Sequence, residues 1–160
     1  NKISSSYKTY EAVLELGKST DTLDIDGEII SSANIPSLNN EKIKLVLKSF
    51  KGRSTQIPPM FSAKKINGTR LYQLARKGIS IKRNPIKIHI KRIELLNYIK
   101  PFLSFRVECS KGTYVRVLGK EIAEKLSTIG FLTSLKRIQV GDYKISNSLS
   151  IETFEKKWKC

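Results

Sequence analysis

Alternating apolar and polar positions predict most of the strands in this chain. Within residues 7–17, Ala12, Leu14 and Leu16 alternate with polar residues, so the apolar side chains would share one face of a strand. The same alternation predicts two neighbouring strands over residues 86–91 and 103–109. A further strand is expected over residues 28–32, and a turn with another strand-like stretch over residues 130–143. The connection between the first two lies near Pro101. The pattern therefore predicts a sheet with one buried face.

Apolar positions three and four residues apart predict short helices around this sheet. The first begins at Asn39 or Asn40 as N-cap and ends before Gly52. Further helices are predicted over residues 70–77, 115–126 and 151–158. Thr113 is a suitable N-cap for the helix over 115–126, and two adjacent prolines put residues 56–63 in a loop. The fold class is α+β, with a mixed, largely antiparallel sheet flanked by short helices in one domain over residues 1–160.

Charge changes the picture more than any single motif. The 160 residues include 30 Lys and Arg against 14 Asp and Glu, a formal net charge of +16. Residues 42–93 contain fifteen basic side chains and no acidic one. A Lys-rich composition could raise the count without any ligand, but a long one-signed stretch favours a face for phosphates. Nucleic acid is preferred over an anionic membrane, because no basic helix has a broad apolar face.

Several kinds of chemistry are excluded by the residues available. His89 is the single histidine, so no Ser-His-Asp or Cys-His arrangement can be built. Cys109 and Cys160 are too few for a zinc cage or a disulfide framework. Asp24 and Asp26 resemble a calcium loop, but Ala33 would stand where that loop needs a bidentate glutamate. We therefore expect no metal, and a turn whose carboxylates bond their own backbone.

Aromatic side chains and arginines set among basic residues suit an unstacked nucleobase. An aromatic ring can replace the stacking neighbour that an extruded base loses, and cations can hold the flanking phosphates. The candidates are Tyr10, Phe61, Tyr72, Tyr114, Arg116 and Arg137. By composition alone, a structural role for each tyrosine remains the stronger interpretation.

Four blocks in order resemble the TruB family of tRNA pseudouridine synthases. They are Lys8-Thr-Tyr10 with Thr20-Asp-Thr-Leu-Asp24 and Gly27; Gln56-Ile-Pro-Pro-Met-Phe-Ser-Ala-Lys-Lys65 with Gly68, Arg70-Leu-Tyr72 and Ala75-Arg76; Cys109-Ser-Lys-Gly-Thr-Tyr-Val-Arg116; and Leu135-Lys-Arg137. One block alone is weak evidence, whereas four at compatible spacing are hard to obtain by chance. The resemblance extends over about residues 7–152.

The resemblance implies an enzyme that isomerises a uridine of the tRNA T-loop to pseudouridine, flipping the base and using an aspartate nucleophile without metal or cofactor. It implies that Tyr10 stacks on the flipped uracil and that Tyr114 lies against the base and sugar. Arg116 would pair with the catalytic carboxylate, and Leu135 would contact the nucleotide from the apolar side. RNA-contact or positioning roles are implied for Lys64, Lys65, Arg70 and Lys111.

The sequence departs from the family pattern at the nucleophile. The family carries it in a Gly-Thr-Leu-Asp-Pro block upstream of the stacking tyrosine, and no such block is present. Asp24 matches the family's second acidic block, so we expect it to be structural. Smaller departures are Phe61 for a tyrosine and Lys120-Glu121 where an aspartate is common.

We therefore expect residues 1–160 to be the C-terminal portion of the catalytic domain, without a complete C-terminal RNA-binding (PUA) domain, and to make no pseudouridine alone. No leader or bilayer-length apolar run is present, which predicts a soluble, cytoplasmic protein with no membrane partner. The resemblance implies the tRNA T-arm as partner, and we expect a monomer.

Two alternatives stay open. A non-catalytic RNA-binding or chaperone module would explain the basic stretch and the stacking residues without a nucleophile. A catalytic relative working within a guide-RNA complex is less favoured, because no accessory extension is visible. The first alternative predicts RNA affinity without chemistry, even in the complete protein.

Overall fold

The structure, a computed structural model, describes residues 2–158 of the chain. Within that range the helices are α1 (Lys2–Ser5), α2 (Asn40–Lys48), α3 (Leu71–Ala75), α4 (Val115–Lys125) and α5 (Ile151–Trp158), with a 3₁₀ turn at Ile145–Asn147. The strands are β1 (Lys8–Leu16), β2 (Lys18–Thr20), β3 (Ile29–Ser32), β4 (Gly52–Gln56), β5 (Lys65–Ile66), β6 (Thr69–Arg70), β7 (Ile86–Ile99), β8 (Phe102–Cys109), β9 (Gly130–Val140) and β10 (Tyr143–Lys144).

One six-stranded sheet organises the molecule, in the order β10-β9-β1-β8-β7-β4. Every neighbouring pair in it is antiparallel. Two small hairpins, β2 with β3 and β5 with β6, stand apart from it. The α+β class and the largely antiparallel sheet are thereby confirmed.

The buried face of the sheet follows the alternation in the sequence. Leu14 and Leu16 on β1 are at most 1% exposed, as are Leu103, Phe105 and Val107 on β8. Because β1 and β8 pair in register, their apolar positions face the same side of the sheet and form a continuous layer.

Helices α2 and α4 cover this apolar face. Ile43 and Leu47 of α2 belong to the same buried cluster as Ile88 and Ile90 of β7. Along α4 the residues facing the cluster are Val115, Leu118, Ile122 and Ala123. Burying these apolar stripes supplies the main stabilisation of helices too short to persist alone in water.

Gly130 allows α4 and the sheet to approach closely. A Cβ built there would lie 2.9 Å from both the Ala123 Cβ and the Leu14 Cδ1. Both atoms belong to the packed core, which has little freedom to give way. The glycine therefore sets the separation between α4 and the start of β9.

One local prediction was wrong, and one strand was missed. Tyr114, not Thr113, occupies the N-cap of α4, and the Thr113 hydroxyl instead donates to the Ser110 carbonyl at 3.0 Å. Strand β4 was not predicted, because its residues are mostly polar and exposed at the sheet edge. By contrast, the Asn39 N-cap is confirmed, with its side chain accepting from the Lys42 N–H at 2.8 Å.

No helix within residues 2–158 is both long and apolar enough to cross a bilayer. Cys109 is buried in β8 as a free thiol, and Cys160 lies outside the described residues.

Candidate functional site

The turn between β2 and β3 is held together by its own carboxylates. Asp21 Oδ1 accepts from the Glu28 N–H at 3.0 Å, and Asp24 Oδ1 accepts from the Asp26 N–H at 3.2 Å and from the Thr22 hydroxyl at 2.6 Å. The self-bonded turn predicted from the sequence is confirmed.

This turn is docked against β9. The Leu132 N–H donates to the Leu23 carbonyl at 3.1 Å, and Asp24 forms an isolated bridge with Leu132. Because of this docking, Asp24 lies at the face of the main sheet that α4 covers.

Arg116, in the first turn of α4, joins three segments of the chain. Its Nη1 donates to the Asp24 carboxylate at 2.5 Å and to the Thr22 carbonyl at 3.0 Å, and its Nη2 donates to the Phe61 carbonyl at 2.7 Å. The side chains of Arg116 and Asp24 are each 22% exposed. Charge-assisted bonds in a partly buried setting fix the orientation of the guanidinium.

A cavity of about 230 Å³ opens beside this ion pair. Asp24 and Arg116 line it on one side, and Ile25 and Leu135 contribute apolar surface. Ile25 is 66% exposed and Leu135 45% exposed, so both apolar side chains are available to a ligand. The arrangement suits a planar group with polar edges, because it combines apolar walls with a fixed charge.

Strand register places Tyr10 on the same side as Leu135. Tyr10 lies opposite Arg137 and Ala12 lies opposite Leu135 in the pairing of β1 with β9. Opposed residues in an antiparallel pair project from the same face, so Tyr10, Leu135 and Arg137 share the face of buried Ala12. Burial raises the pKa of Tyr10, while a side-chain hydrogen bond with Arg137 acts in the opposite direction. The phenol therefore stays neutral at physiological pH.

Tyr114 lies where the chain enters α4, two residues before Arg116. Its backbone N–H donates to Gln56 Oε1 at 2.8 Å. The helix packs against β1 and β9, the strands that carry Tyr10 and Leu135. Of the four residues expected around the target nucleotide, Arg116 and Leu135 line the cavity. Tyr10 shares the sheet face of Leu135 and Tyr114 precedes α4, but neither of them lines it.

The residues expected to contact RNA occupy two separate places. Lys65 and Arg70 face each other across the β5 and β6 hairpin, next to Lys64. Lys111 follows β8, and its Nζ donates to Ser4 Oγ at 3.1 Å near the start of the chain. The structure does not gather these four side chains into one patch.

Comparison with known proteins identifies the family. Residues 1–115 match the family model described as TruB family pseudouridylate synthase, N-terminal domain. The chain belongs to the TruB family.

Curated relatives of this TruB-family chain are named tRNA pseudouridine synthase B. The protein of Psychrobacter cryohalolentis is 44% identical over 148 residues, which are 92% of this chain and 41% of the relative. That of Clostridium tetani is 43% identical over 150 residues, covering 94% of this chain and 52% of the relative. The chain thus spans about half the length of the curated relatives it matches, or somewhat less.

Solved structures share the fold of this TruB-family chain. A Cbf5-Nop10-Gar1 complex matches with a TM-score of 0.61 at 23% identity, covering 88% of this chain and 32% of the matched chain. An H/ACA RNP bound to a substrate RNA containing 2'-deoxyuridine matches with a TM-score of 0.61 at 19% identity, covering 99% and 38%. At these identities the likeness shows the fold alone.

Cys109 should be chemically inert in the folded chain. Burial raises the pKa of its thiol from 9.0 to about 11. Between these pH values a cysteine in the unfolded chain loses its proton and becomes the reactive thiolate, while Cys109 in the folded chain stays protonated. The free energy of unfolding therefore falls as the pH rises above 9.0. We expect iodoacetamide at pH 8 to leave Cys109 unmodified in a Cys160→Ser variant, as read by intact mass. Full modification in denaturant is the control, and modification equally fast without denaturant would contradict the prediction.

Sequence reasoning missed two contacts of the candidate site. Asp24 was expected to be structural within its turn, and its bond to Arg116 was assigned instead to a carboxylate upstream. Ile25 received no role, although it lines the same cavity as Arg116. An isoleucine between two aspartates in a turn is a weak local signal, since single exposed apolar residues are common.

Proposed function

We propose that this chain is the base-handling part of a tRNA pseudouridine synthase that isomerises a uridine of the T-loop. One observation carries the proposal: a TruB-family chain has a cavity with an ion-paired arginine and apolar walls, on the sheet face that bears Tyr10. Relatives over 40% identical are named tRNA pseudouridine synthase B.

The chemistry follows from what isomerisation requires. The bond from the ring nitrogen to ribose breaks, a bond from a ring carbon to ribose forms, and a proton leaves that carbon as one is gained at the nitrogen. No electrons are gained or lost, so the chain needs to hold, turn and shield the base. Tyr10 would stack on the extruded uracil, Tyr114 would contact the base and sugar, and Leu135 would close the apolar side.

Asp24 is a poor candidate for the nucleophile, although it pairs with Arg116. One of its oxygens accepts from Arg116, and the other accepts from the Thr22 hydroxyl and the Asp26 N–H. These three hydrogen bonds engage most of the roughly four lone-pair sites of a carboxylate and make it a weaker nucleophile. Asp24 would therefore position Arg116.

The nucleophile would be an aspartate outside these 160 residues, held by the donors of Arg116 that remain. A guanidinium has five N–H donors. Within residues 2–158, three of those of Arg116 are used, on Nη1 and Nη2. The Nε–H and one Nη2–H can therefore receive a second carboxylate and keep it ionised.

Tyr10→Ala in the complete synthase is the direct test. Stacking on one base is worth about 1–3 kcal/mol, so kcat should fall roughly 5- to 150-fold while tRNA affinity changes little. Pseudouridine formation under single-turnover conditions and filter binding of tRNA measure the two effects.

Tyr98→Ala is the matched control, because Tyr98 is a partly buried tyrosine of β7. It should leave both quantities unchanged. Equal losses of affinity and turnover in the Tyr10 variant would favour the non-catalytic RNA-binding module.

Basic residues around β7 should contribute unequally to tRNA binding. Lys82 and Lys87 are exposed, whereas Lys91 is paired with Glu108 at 2.7 Å and Arg83 is partly buried. Each phosphate contact adds about 0.7–0.9 to the slope of log affinity against log salt. Replacing Lys82 and Lys87 by glutamine should therefore lower the slope by about 1.5, measured by salt titration of tRNA binding. Lys91→Gln should leave the slope unchanged, and an unchanged slope in the double variant would remove this strand from the interface.

A further inference from the structure

Gln56 is a buried amide in contact with the candidate site. It ends β4, pairs across the sheet with Ile86 and is 1% exposed. Its Oε1 accepts the Tyr114 N–H at 2.8 Å, across 58 residues of sequence. Burying an amide is unfavourable unless its polar atoms are bonded, so this hydrogen bond determines how the side chain sits.

The orientation of this amide is fixed by its partner. Oε1 must face the Tyr114 N–H, since a flipped amide would set an NH₂ group against that donor. Nε2 is consequently directed elsewhere. Within the described part of the chain it makes no hydrogen bond of ordinary length, but it approaches Glu121 of α4: burial raises the pKa of that carboxyl, and the Gln56 amide acts in the opposite direction. Gln56 therefore keeps a buried amide to bind the Tyr114 N–H, where an apolar residue would pack without that cost.

The hydrogen bond from Tyr114 to Gln56 lies at the N-terminus of α4, where the helix has no side-chain capping hydrogen bond. Tyr114 is the N-cap, and its side chain makes no capping hydrogen bond. The backbone entering the helix is therefore held from outside, by Gln56. Arg116 lies two residues further on, so a shift of this entry moves the guanidinium with it.

A second contact from the same segment reaches the site. The Phe61 carbonyl, five residues after Gln56, accepts from Arg116 Nη2 at 2.7 Å. Residues 56–61 therefore hold the first turn of α4 at two points, through the backbone of Tyr114 and through the side chain of Arg116. Residues 57–61 also wall a cleft of about 650 Å³ that Glu121 of α4 lines.

We propose that Gln56 is a positioning residue for the isomerisation. Its side-chain Oε1 holds the backbone of Tyr114 and, together with the Phe61 carbonyl, fixes the direction of the Arg116 guanidinium. This inference rests on the proposed function. It assigns Gln56 no contact with substrate. Its effect passes through Tyr114 and Arg116, so it should appear in turnover and not in RNA affinity.

The test compares Gln56→Leu with Ser62→Ala in the complete synthase. Ser62 is the matched control, because it is a buried polar residue of the same segment, 6% exposed, whose Oγ has no hydrogen-bond partner in the range 2–158. Displacing a catalytic group by about 1 Å can cost about 10²-fold in rate. We expect Gln56→Leu to lower kcat by about 10²-fold with KM for tRNA unchanged, and Ser62→Ala to change neither. Gln56→Met, closer in shape, replaces Gln56→Leu if that variant does not fold.

Hydrogen exchange followed by mass spectrometry gives a readout that needs no turnover. The peptide containing Tyr114 and Arg116 should exchange faster in Gln56→Leu than in the wild type or Ser62→Ala. Unchanged exchange or unchanged kcat would overturn the proposal, as would an equal loss of kcat in Ser62→Ala. A wild-type synthase that makes no pseudouridine would instead refute the proposed function, while the exchange result would still report whether Gln56 holds α4.

Discussion

Arg116→Met in the complete synthase is expected to lower kcat by about 10³-fold, with a much smaller change in tRNA affinity. Methionine fills similar space but offers no donor to the Asp24 carboxylate or to the Thr22 and Phe61 carbonyls, which Arg116 now binds. The proposed nucleophile would also lose the cation that keeps it ionised and aimed. Pseudouridine formation in a single turnover, with enzyme in excess over tRNA, measures the loss.

Arg106→Met is the matched control, because it removes an ion-paired arginine elsewhere. Arg106 binds Glu11 at 2.6 Å and Glu94 at 3.0 Å across three strands, on the sheet face opposite the buried layer. It should leave kcat unchanged. Similar losses in both variants would mean that Arg116 acts through general electrostatics or stability, and its proposed role would then be wrong.

Arg116→Lys separates charge from geometry. A lysine keeps the cation, but its compact ammonium cannot match a fork that now binds three acceptors on two segments. The proposed role accordingly predicts little recovery of turnover from Lys at this position.

The strands that alternation predicted most clearly, β1 and β8, have two different faces. From Ala12 onward in β1, and throughout β8, every second residue is buried, so a period of two in the sequence directly reflects the fold. Strand β4 shows no such alternation, because Arg53, Ser54 and Thr55 are all exposed. Its existence depends on pairing with β7, a contact between segments that no local pattern encodes.

The candidate site, like the fold, could be predicted from the sequence only in part. The resemblance to the TruB family supplied Tyr10, Tyr114, Arg116 and Leu135 as residues, but not their partners. Arg116 and Asp24 are 92 residues apart, and they meet only because the β2 and β3 hairpin docks on β9. Gln56 was visible as part of a motif, yet its bond to Tyr114 depends on β4 being a strand of the main sheet.

Phe105→Ala is expected to lower the free energy of unfolding by about 3–5 kcal/mol. Phe105 is fully buried in β8, where it lies opposite Ala12 of β1 on one side and Leu95 of β7 on the other. Removing the ring leaves a cavity in the buried layer between the sheet and helices α2 and α4. It cannot easily close, because backbone pairing holds the neighbouring strands in place. Urea unfolding followed by circular dichroism measures the loss.

Phe102→Ala on the same strand provides the control, because Phe102 is 43% exposed and its removal should cost far less. Below the unfolding temperature of each variant, kcat of the complete synthase with Phe105→Ala should stay close to the wild type, since Phe105 does not line the cavity beside Arg116. Arg116→Met should show the reverse, with a smaller change in the free energy of unfolding than Phe105→Ala and a large loss of kcat. A Phe105 variant that stays folded but loses turnover as Arg116→Met does would mean that the sheet core itself sets the site geometry, and that the contacts of Arg116 are not what positions the reacting groups.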